Sequence, residues 1–80
     1  MTVKELLEKH PLLTIAELAR LMYPENKSAR SKLTNKLNEN IVGSGKQRIT
    51  SKDLQLIKEI LSKHADELKI DLSTVTEGNG

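Results

Sequence analysis

The sequence predicts a single all-α domain, a compact bundle of four to five helices. Three observations lead to this prediction. Helix-start signals recur along the chain, apolar residues repeat at helical rather than alternating spacing, and 80 residues leave room for one hydrophobic core. We expect the domain to span residues 1–69, followed by a C-terminal tail at 70–80 that is either flexible or dimerising.

Three helix starts carry the same capping signal. A threonine is followed three residues later by an acidic residue, so the hydroxyl caps the first turn and the carboxylate reaches back to the cap. The pairs are Thr2 with Glu5, Thr14 with Glu17, and Thr50 with Asp53. They predict helices over about 3–9, 15–22 and 51–68.

The remaining helix is predicted over about 27–39. Ala29, Leu33 and Leu37 form an apolar stripe there at helical spacing, and Pro24 separates this segment from the helix before it. The last helix is the longest, and its expected inner face consists of Leu54, Ile57, Ile60, Leu61, His64, Ala65 and Leu68.

Two segments leave alternatives open. Two glycines interrupt residues 40–49, which form either an open loop or a short hairpin at 41–49, with Ile41 and Val42 facing Arg48 and Ile49. The tail is either frayed or forms a strand that pairs with a second copy, because its side chains alternate. The side chains on one side of such a strand are Ile70, Leu72 and Thr74.

Basic charge is concentrated in the middle of the chain. Residues 27–52 carry seven lysines and arginines against one acidic residue, Glu39, whereas the segments on either side are net acidic. A polyanionic partner responds to this local field rather than to the total charge of +2. Single-stranded nucleic acid is a poor candidate, because Tyr23 is the only aromatic residue on which a base could stack.

Residues 13–22, Leu-Thr-Ile-Ala-Glu-Leu-Ala-Arg-Leu-Met, resemble the second helix of phage-repressor and Cro-like (XRE-type) helix-turn-helix domains. The helix order is similar over about 3–68, and the specific motif covers about 13–38. The small Ala19 is typical of a position where the next helix crosses closely. Residues 23–26 connect the two helices without the glycine that the family usually has there. The resemblance implies that the helix at about 27–39 reads the major groove of duplex DNA.

A helical wheel divides the polar residues of this helix between two roles. The face opposite Leu33 carries short donors and acceptors suited to base edges, namely Ser28, Ser31, Lys32, Thr34, Asn35 and Asn38. Cations on its shoulders are expected to meet phosphates. The start of the second helix and the loop after the third helix are expected to contribute further contacts. The complete set of residues expected to contact the DNA backbone is Thr14, Lys27, Arg30, Lys36, Lys46, Gln47 and Arg48.

The sequence offers little for other chemistry. His10 and His64 are far apart, there is no cysteine, and no nucleophile–base–acid set stands out. Residues 43–46 resemble the end of a phosphate-binding loop, but the full pattern fails at both ends. We therefore expect no enzyme activity, metal, cofactor or small-molecule ligand. Without a long apolar run, we expect no contact with a membrane and a cytoplasmic location.

The expected function is sequence-specific binding of double-stranded DNA by a small transcriptional regulator of phage or mobile-element type. We also expect a homodimer, because one helix covers few base pairs. The expected dimer interface is the outer face of the last helix, where Leu56 lies, together with the C-terminal tail. The alternative function is a helical protein-interaction module whose basic face meets an acidic protein.

Overall fold

The computed structural model describes residues 1–76, which form four helices and a two-stranded antiparallel sheet. The elements are α1 (Val3–Lys9), α2 (Ile15–Met22), α3 (Ala29–Leu37), β1 (Ile41–Val42), β2 (Gly45–Lys46) and α4 (Ser51–Leu72). The all-α prediction is therefore wrong, although 61% of the structure is helical. The hairpin alternative is the correct one for this segment.

The hairpin is shorter than the sequence indicated. Ile41 pairs with Lys46 and Val42 with Gly45, so Arg48 and Ile49 lie beyond the strands. The chain reverses at Gly43, whose φ of 66° lies in the left-handed region that glycine adopts without a steric penalty. The turn therefore determines the register, and the strands end after two residues each.

The capping signals locate the helix starts correctly. Thr2 with Glu5 and Thr50 with Asp53 form complete capping boxes, in which each side chain bonds the other residue's backbone. Thr14 caps α2 alone, accepting a 3.2 Å hydrogen bond from the backbone N–H of Glu17. The carboxylate of Glu17 pairs with Arg20 at 2.9 Å.

The third helix is shorter than predicted at both ends. Lys27 and Ser28 lie in the connection from α2, where the Ser28 N–H donates to Asn26 Oδ1 at 2.8 Å. Two successive turns build this connection, because Asn26 N–H donates to Tyr23 O and Ala29 N–H donates to Asn26 O, both at 3.1 Å. The first residue of α3 is therefore Ala29.

The end of α3 is a Schellman motif built without glycine. Asn40 N–H donates to Asn35 O at 2.9 Å, and Glu39 N–H donates to Lys36 O at 3.3 Å. Glu39 adopts a φ of 53°, which is unfavourable for a residue with a Cβ. This reversal ends the helix at Leu37 and directs the chain into the hairpin.

The core lies where the helices meet. Ala19 of α2, Leu33 of α3 and Ile57 of α4 are almost completely buried, and Val3 and Leu7 add one face of α1. The other buried apolar residues are Leu18, Met22 and Ala29. Leu56, expected on the outer face of the last helix, is half-buried and packs against this core instead.

Helix α4 extends well beyond this core. It has 22 residues, or about 33 Å, whereas the helices it packs against are about 10–14 Å long. Every residue of α4 after Leu61 is exposed, including His64, Ala65 and Leu68, which the sequence placed on the inner face. The inner-face prediction therefore fails where the shorter helices end, and it also fails at Leu54 near the start of α4, which is 38% exposed.

At residues 70–72 the tail adopts neither of the two expected forms, a frayed end or a strand, because α4 continues through Ile70 to Leu72. Beyond the helix, the hydroxyl of Thr74 donates to Asp71 O at 2.7 Å. Ile70 and Leu72 consequently point in different directions from the helix axis, rather than lying on one side of a strand. The last part of the predicted tail, residues 77–80, lies outside the described residues. Within 1–76, no helix has the length and apolar content needed to span a membrane.

Candidate nucleic-acid interface

The candidate interface is the outer face of α3 with the residues on either side of it. Ala29 and Leu33 fix the orientation of α3, because they are buried and turn the opposite side of the helix to solvent. Four of the six residues predicted to contact bases are exposed on or beside this outer face. They are Ser28, Ser31, Lys32 and Asn38.

Thr34 and Asn35, the other two predicted base contacts, are half-buried. Asn35 is covered by the chain reversal after α3, where its Oδ1 accepts a 3.1 Å hydrogen bond from Asn40 Nδ2. Thr34 lines a groove of about 290 Å³ between α1 and α3, which also includes Asn38 and the start of α2 at Ile15. The groove places the α2 N-terminus beside the C-terminal half of α3.

Thr14, predicted to bind phosphate, is exposed and caps α2, but it lines a second groove, between α2 and α4, rather than this one. Its side-chain oxygen is engaged by the N–H of Glu17, as described above. The exposed Glu17 carboxylate lies in the first turn of the same helix. An approaching phosphate would therefore encounter both the helix N-terminus, which attracts it, and a carboxylate, which repels it.

Five cations of the basic middle segment are exposed and make no ion pair with any residue in 1–76. They are Lys27, Arg30, Lys32, Arg48 and Lys52. Lys46 is exposed as well, but its Nζ lies 3.6 Å from the Glu39 carboxylate. Gln47 is half-buried, and its backbone N–H donates to Asn40 O at 2.8 Å.

Lys36 lies in a different environment from the one predicted for it. Its Nζ donates a 2.6 Å hydrogen bond to Asp53 Oδ2, and the two side chains retain only 14% and 11% of their exposure. Burial disfavours the charged ammonium, but the hydrogen bond to Asp53 and the neighbouring Tyr23 outweigh it and raise the pKa of Lys36. The structure thus uses this cation in the interior of the fold.

Asp53 collects hydrogen bonds from three parts of the chain. Besides Lys36, it accepts from the Tyr23 hydroxyl at 3.2 Å and from the Thr50 backbone N–H at 3.0 Å. Burial opposes ionisation of the carboxyl group, but the hydrogen bonds from Lys36 and Thr50 prevail and lower the pKa of Asp53 to about 2. The carboxylate therefore stays charged and ties the C-terminal ends of α2 and α3 to the start of α4.

Tyr23 connects this interior cluster to the exposed face. Two ammonium groups lie over its ring. The Lys32 Nζ is 4.3 Å from the ring centroid, and the Lys36 Nζ is 5.7 Å from it. Burial of the hydroxyl and the nearby charge of Asp53 raise the pKa of Tyr23. The cation–π contact holds Lys32 on the shoulder of α3 beside the exposed polar face.

The sequence indicated Asp53 only as a helix cap and did not reveal its contacts with Lys36 and Tyr23. These partners lie 17 and 30 residues away in the chain. The only available signal was an aromatic residue and a lysine on segments predicted to pack together.

Comparison of the chain with protein-family models, curated proteins and solved structures gave no match. Among residues 1–76, no group of three or more His, Cys, Asp or Glu side chains is placed to hold a metal ion. What the described surface offers is exposed cations and short hydrogen-bonding side chains around one helix.

Proposed function

We propose that the protein binds double-stranded DNA by placing α3 in the major groove. The observation that supports this best is the charge on and around α3. The helix carries no acidic residue, and three exposed cations without ion-pair partners in 1–76 lie on it or just before it, namely Lys27, Arg30 and Lys32. Two more, Arg48 and Lys52, follow the hairpin. A helix face that is merely solvated usually mixes both signs of charge.

The dimensions of α3 suit this role. Nine residues form a helix about 13 Å long, and the major groove admits a single helix. Ser31 lies on the side of α3 opposite Leu33, while Ser28 and Asn38 flank the helix at its two ends. Their short side chains supply both donors and acceptors for base edges. Lys32, which the sequence predicted to contact a base, is held over the Tyr23 ring on one shoulder of α3, and Arg30 lies on the other. In the proposed complex each of these two cations meets the phosphates on one side of the groove.

The hairpin extends this surface beyond α3. It follows the helix after three residues, and Lys46 and Arg48 are exposed on and just after β2. In the proposed complex they contact the DNA backbone next to the groove that α3 occupies. The Glu39 carboxylate near Lys46 limits that residue's contribution, so Arg48 is the stronger of the two contacts.

The biological role that we propose is that of a small transcriptional regulator in the cytoplasm, acting by binding and without catalysis. The resemblance of residues 13–22 to helix-turn-helix repressors supports a regulator of phage or mobile-element type. Exposed hydrogen-bonding residues at Ser28, Ser31 and Asn38 support sequence-specific recognition, because phosphate contacts alone carry no sequence information.

Titration of labelled duplex DNA at several salt concentrations tests the proposal. Replacing Arg30 with Ala should reduce the slope of log K against log salt concentration by about one, because one phosphate contact is lost. Lys63→Ala removes an exposed cation from the projecting part of α4 and is the matched control. Equal effects of the two substitutions would contradict the assignment of α3.

Specificity is tested separately, on the preferred site selected from random duplexes. Ser31→Ala should reduce the binding free energy by about 1–3 kcal/mol on that site and by little on random DNA.

The rival function, binding of an acidic protein by the same basic face, predicts that polyglutamate competes as well as random duplex DNA. It also predicts that selection from random duplexes enriches no sequence, and that result would refute specific DNA recognition.

A further inference from the structure

The projecting half of α4 carries an apolar stripe of which only the first residue, Leu61, packs against the core. At 100° per residue, the members of this stripe lie within an arc of about 60°. They are Leu61, Ala65, Leu68 and Leu72, and we call them the α4 stripe. Leu61 is half-buried at the edge of the core, whereas Leu68 and Leu72 are 48% and 61% exposed. The stripe thus continues the buried face of α4 into solvent.

An open groove adjoins the half-buried end of the stripe. It has a volume of about 640 Å³ and lies between α2 and α4, with Leu61 and His64 on the α4 side. Leu12 and Leu21, which are 96% and 47% exposed, line its other side. Stripe and groove together form one exposed apolar surface, of the kind that marks an interaction site.

We propose that a second copy of this chain covers the α4 stripe, with the two α4 helices packed antiparallel around a twofold axis. The twofold axis crosses the pair at the level of the midpoint between residues 66 and 67. In this register Leu61 lies opposite Leu72 of the second copy, and Ala65 lies opposite Leu68 of the second copy. Each stripe then faces itself in reverse order, as a twofold interface requires. The end of each α4 reaches the groove of the other copy beside Leu61.

The charges along the stripe fit this register. In an antiparallel pair, each flank of the stripe lies against the identical flank of the second copy. On one flank His64 lies beside Asp71 of the second copy, and on the other flank Ser62 lies beside Lys69 of the second copy. The imidazole supplies an N–H donor for the carboxylate, and the lysine faces a neutral hydroxyl. No like charges oppose each other on either flank, and the surface is complementary to itself.

A parallel pair does not fit the same structure. The side of α4 that bears the stripe is also the side that packs against the core in the N-terminal half of the helix, at Ile57. Parallel packing brings the cores of both copies to the same end of the pair. Each core then occupies the side of α4 that the helix of the other copy would have to cover. Antiparallel packing places them at opposite ends.

The proposal stands without DNA binding, although such a dimer also presents two α3 helices to one duplex. Sedimentation of the full-length chain at micromolar concentration tests it in the absence of DNA. The unchanged protein should be a dimer, and Leu68→Glu should convert it to a monomer. Ile70→Glu is the matched control, since Ile70 is also exposed but lies on the opposite side of the helix. Circular dichroism verifies that each variant remains helical.

A monomeric unchanged protein would overturn the proposal and leave the stripe to a different protein. Equal dissociation by the two glutamate substitutions, or dissociation by neither, would overturn the assignment of the face.

Disulfide cross-linking tests the direction of the pair, because the chain has no cysteine of its own. Mixed Leu61→Cys and Leu72→Cys chains should form a heterologous disulfide under mild oxidation. Leu72→Cys alone should not cross-link, because the two copies of residue 72 lie about 16 Å apart along an antiparallel pair. Efficient cross-linking of Leu72→Cys by itself would indicate parallel helices and overturn the proposed arrangement.

Discussion

Lys36 in the last turn of α3 and Asp53 in the first turn of α4 form a 2.6 Å ion pair that is largely shielded from solvent. Asp53 is at the same time the acidic member of the capping box that starts α4. One carboxylate therefore both begins a helix and attaches it to its neighbour. A buried pair of this kind adds little stability over an apolar pair, but removing one partner leaves the other without compensation.

The pKa of Asp53 predicts loss of stability in acid. This pKa is about 2 in the folded protein and 3.8 in an unperturbed chain, so the unfolded state binds the proton first as the pH falls. The stabilisation is complete above pH 3.8 and is lost as the pH falls towards 2. The difference corresponds to about 2 kcal/mol of unfolding free energy, measurable by urea denaturation at a series of pH values.

Asp53→Asn provides the comparison for this acid titration. It should lower stability at neutral pH and flatten the dependence on pH below 3.8, because the titrating group is gone. Some dependence should remain, since hydrogen bonds from Thr2 to Glu5 and from Arg20 to Glu17 also lower the pKa of those two exposed carboxylates. An unchanged pH profile in Asp53→Asn would show that the cluster around Asp53 does not form as described.

Lys32 and Lys36, one turn apart on α3, should respond differently to the same substitution. Lys32→Met should reduce the salt dependence of DNA binding by about one phosphate contact, because this cation is exposed. Lys36→Met should lower the melting temperature and leave the salt dependence unchanged, since its charge is committed to Asp53. Titration with duplex DNA and thermal melting of both variants provide the measurement. A reduced salt slope in Lys36→Met would mean that the ion pair opens when DNA binds.

Glu39→Gly should stabilise the protein. Glu39 holds a left-handed conformation, with a φ of 53°, that costs a residue with a Cβ about 1 kcal/mol or more relative to glycine. The greater freedom of glycine in the unfolded chain offsets part of this cost, so unfolding by urea should show a gain of up to about 1 kcal/mol. The control is Glu39→Gln, which keeps the Cβ but loses the exposed pair with Lys46 and should change stability by less than about 0.5 kcal/mol. Equal gains in both variants would assign the effect to charge rather than to the backbone.

Ala19→Leu should destabilise the fold by about 1–3 kcal/mol, because Ala19 has no exposed surface and a larger side chain must displace its neighbours. Ala16→Leu, on the exposed side of the same helix, is the matched control and should have little effect. Thermal melting of the two variants distinguishes packing from helix propensity. Similar melting temperatures would mean that the interior around Ala19 can expand without cost.

Local sequence patterns were sufficient to predict the features of this protein that depend on residues close together in the chain. The three threonine caps located the starts of α1, α2 and α4 correctly, because a cap bonds to a backbone group only three residues away. The apolar stripe of α3 was also readable, since its spacing reports the period of the helix directly. Ala29 and Leu33 are buried as that spacing predicted.

Packing between distant segments determines which cations of the middle segment are exposed and where α4 extends beyond the core. Lys32 and Lys36 are equivalent in local sequence, yet one is exposed and the other is buried against a carboxylate 17 residues away. The apolar pattern of α4 likewise continues unchanged past Leu61, although the helices that cover its first half end there. Both outcomes depend on the lengths and crossing of separate helices, and no local pattern contains that information.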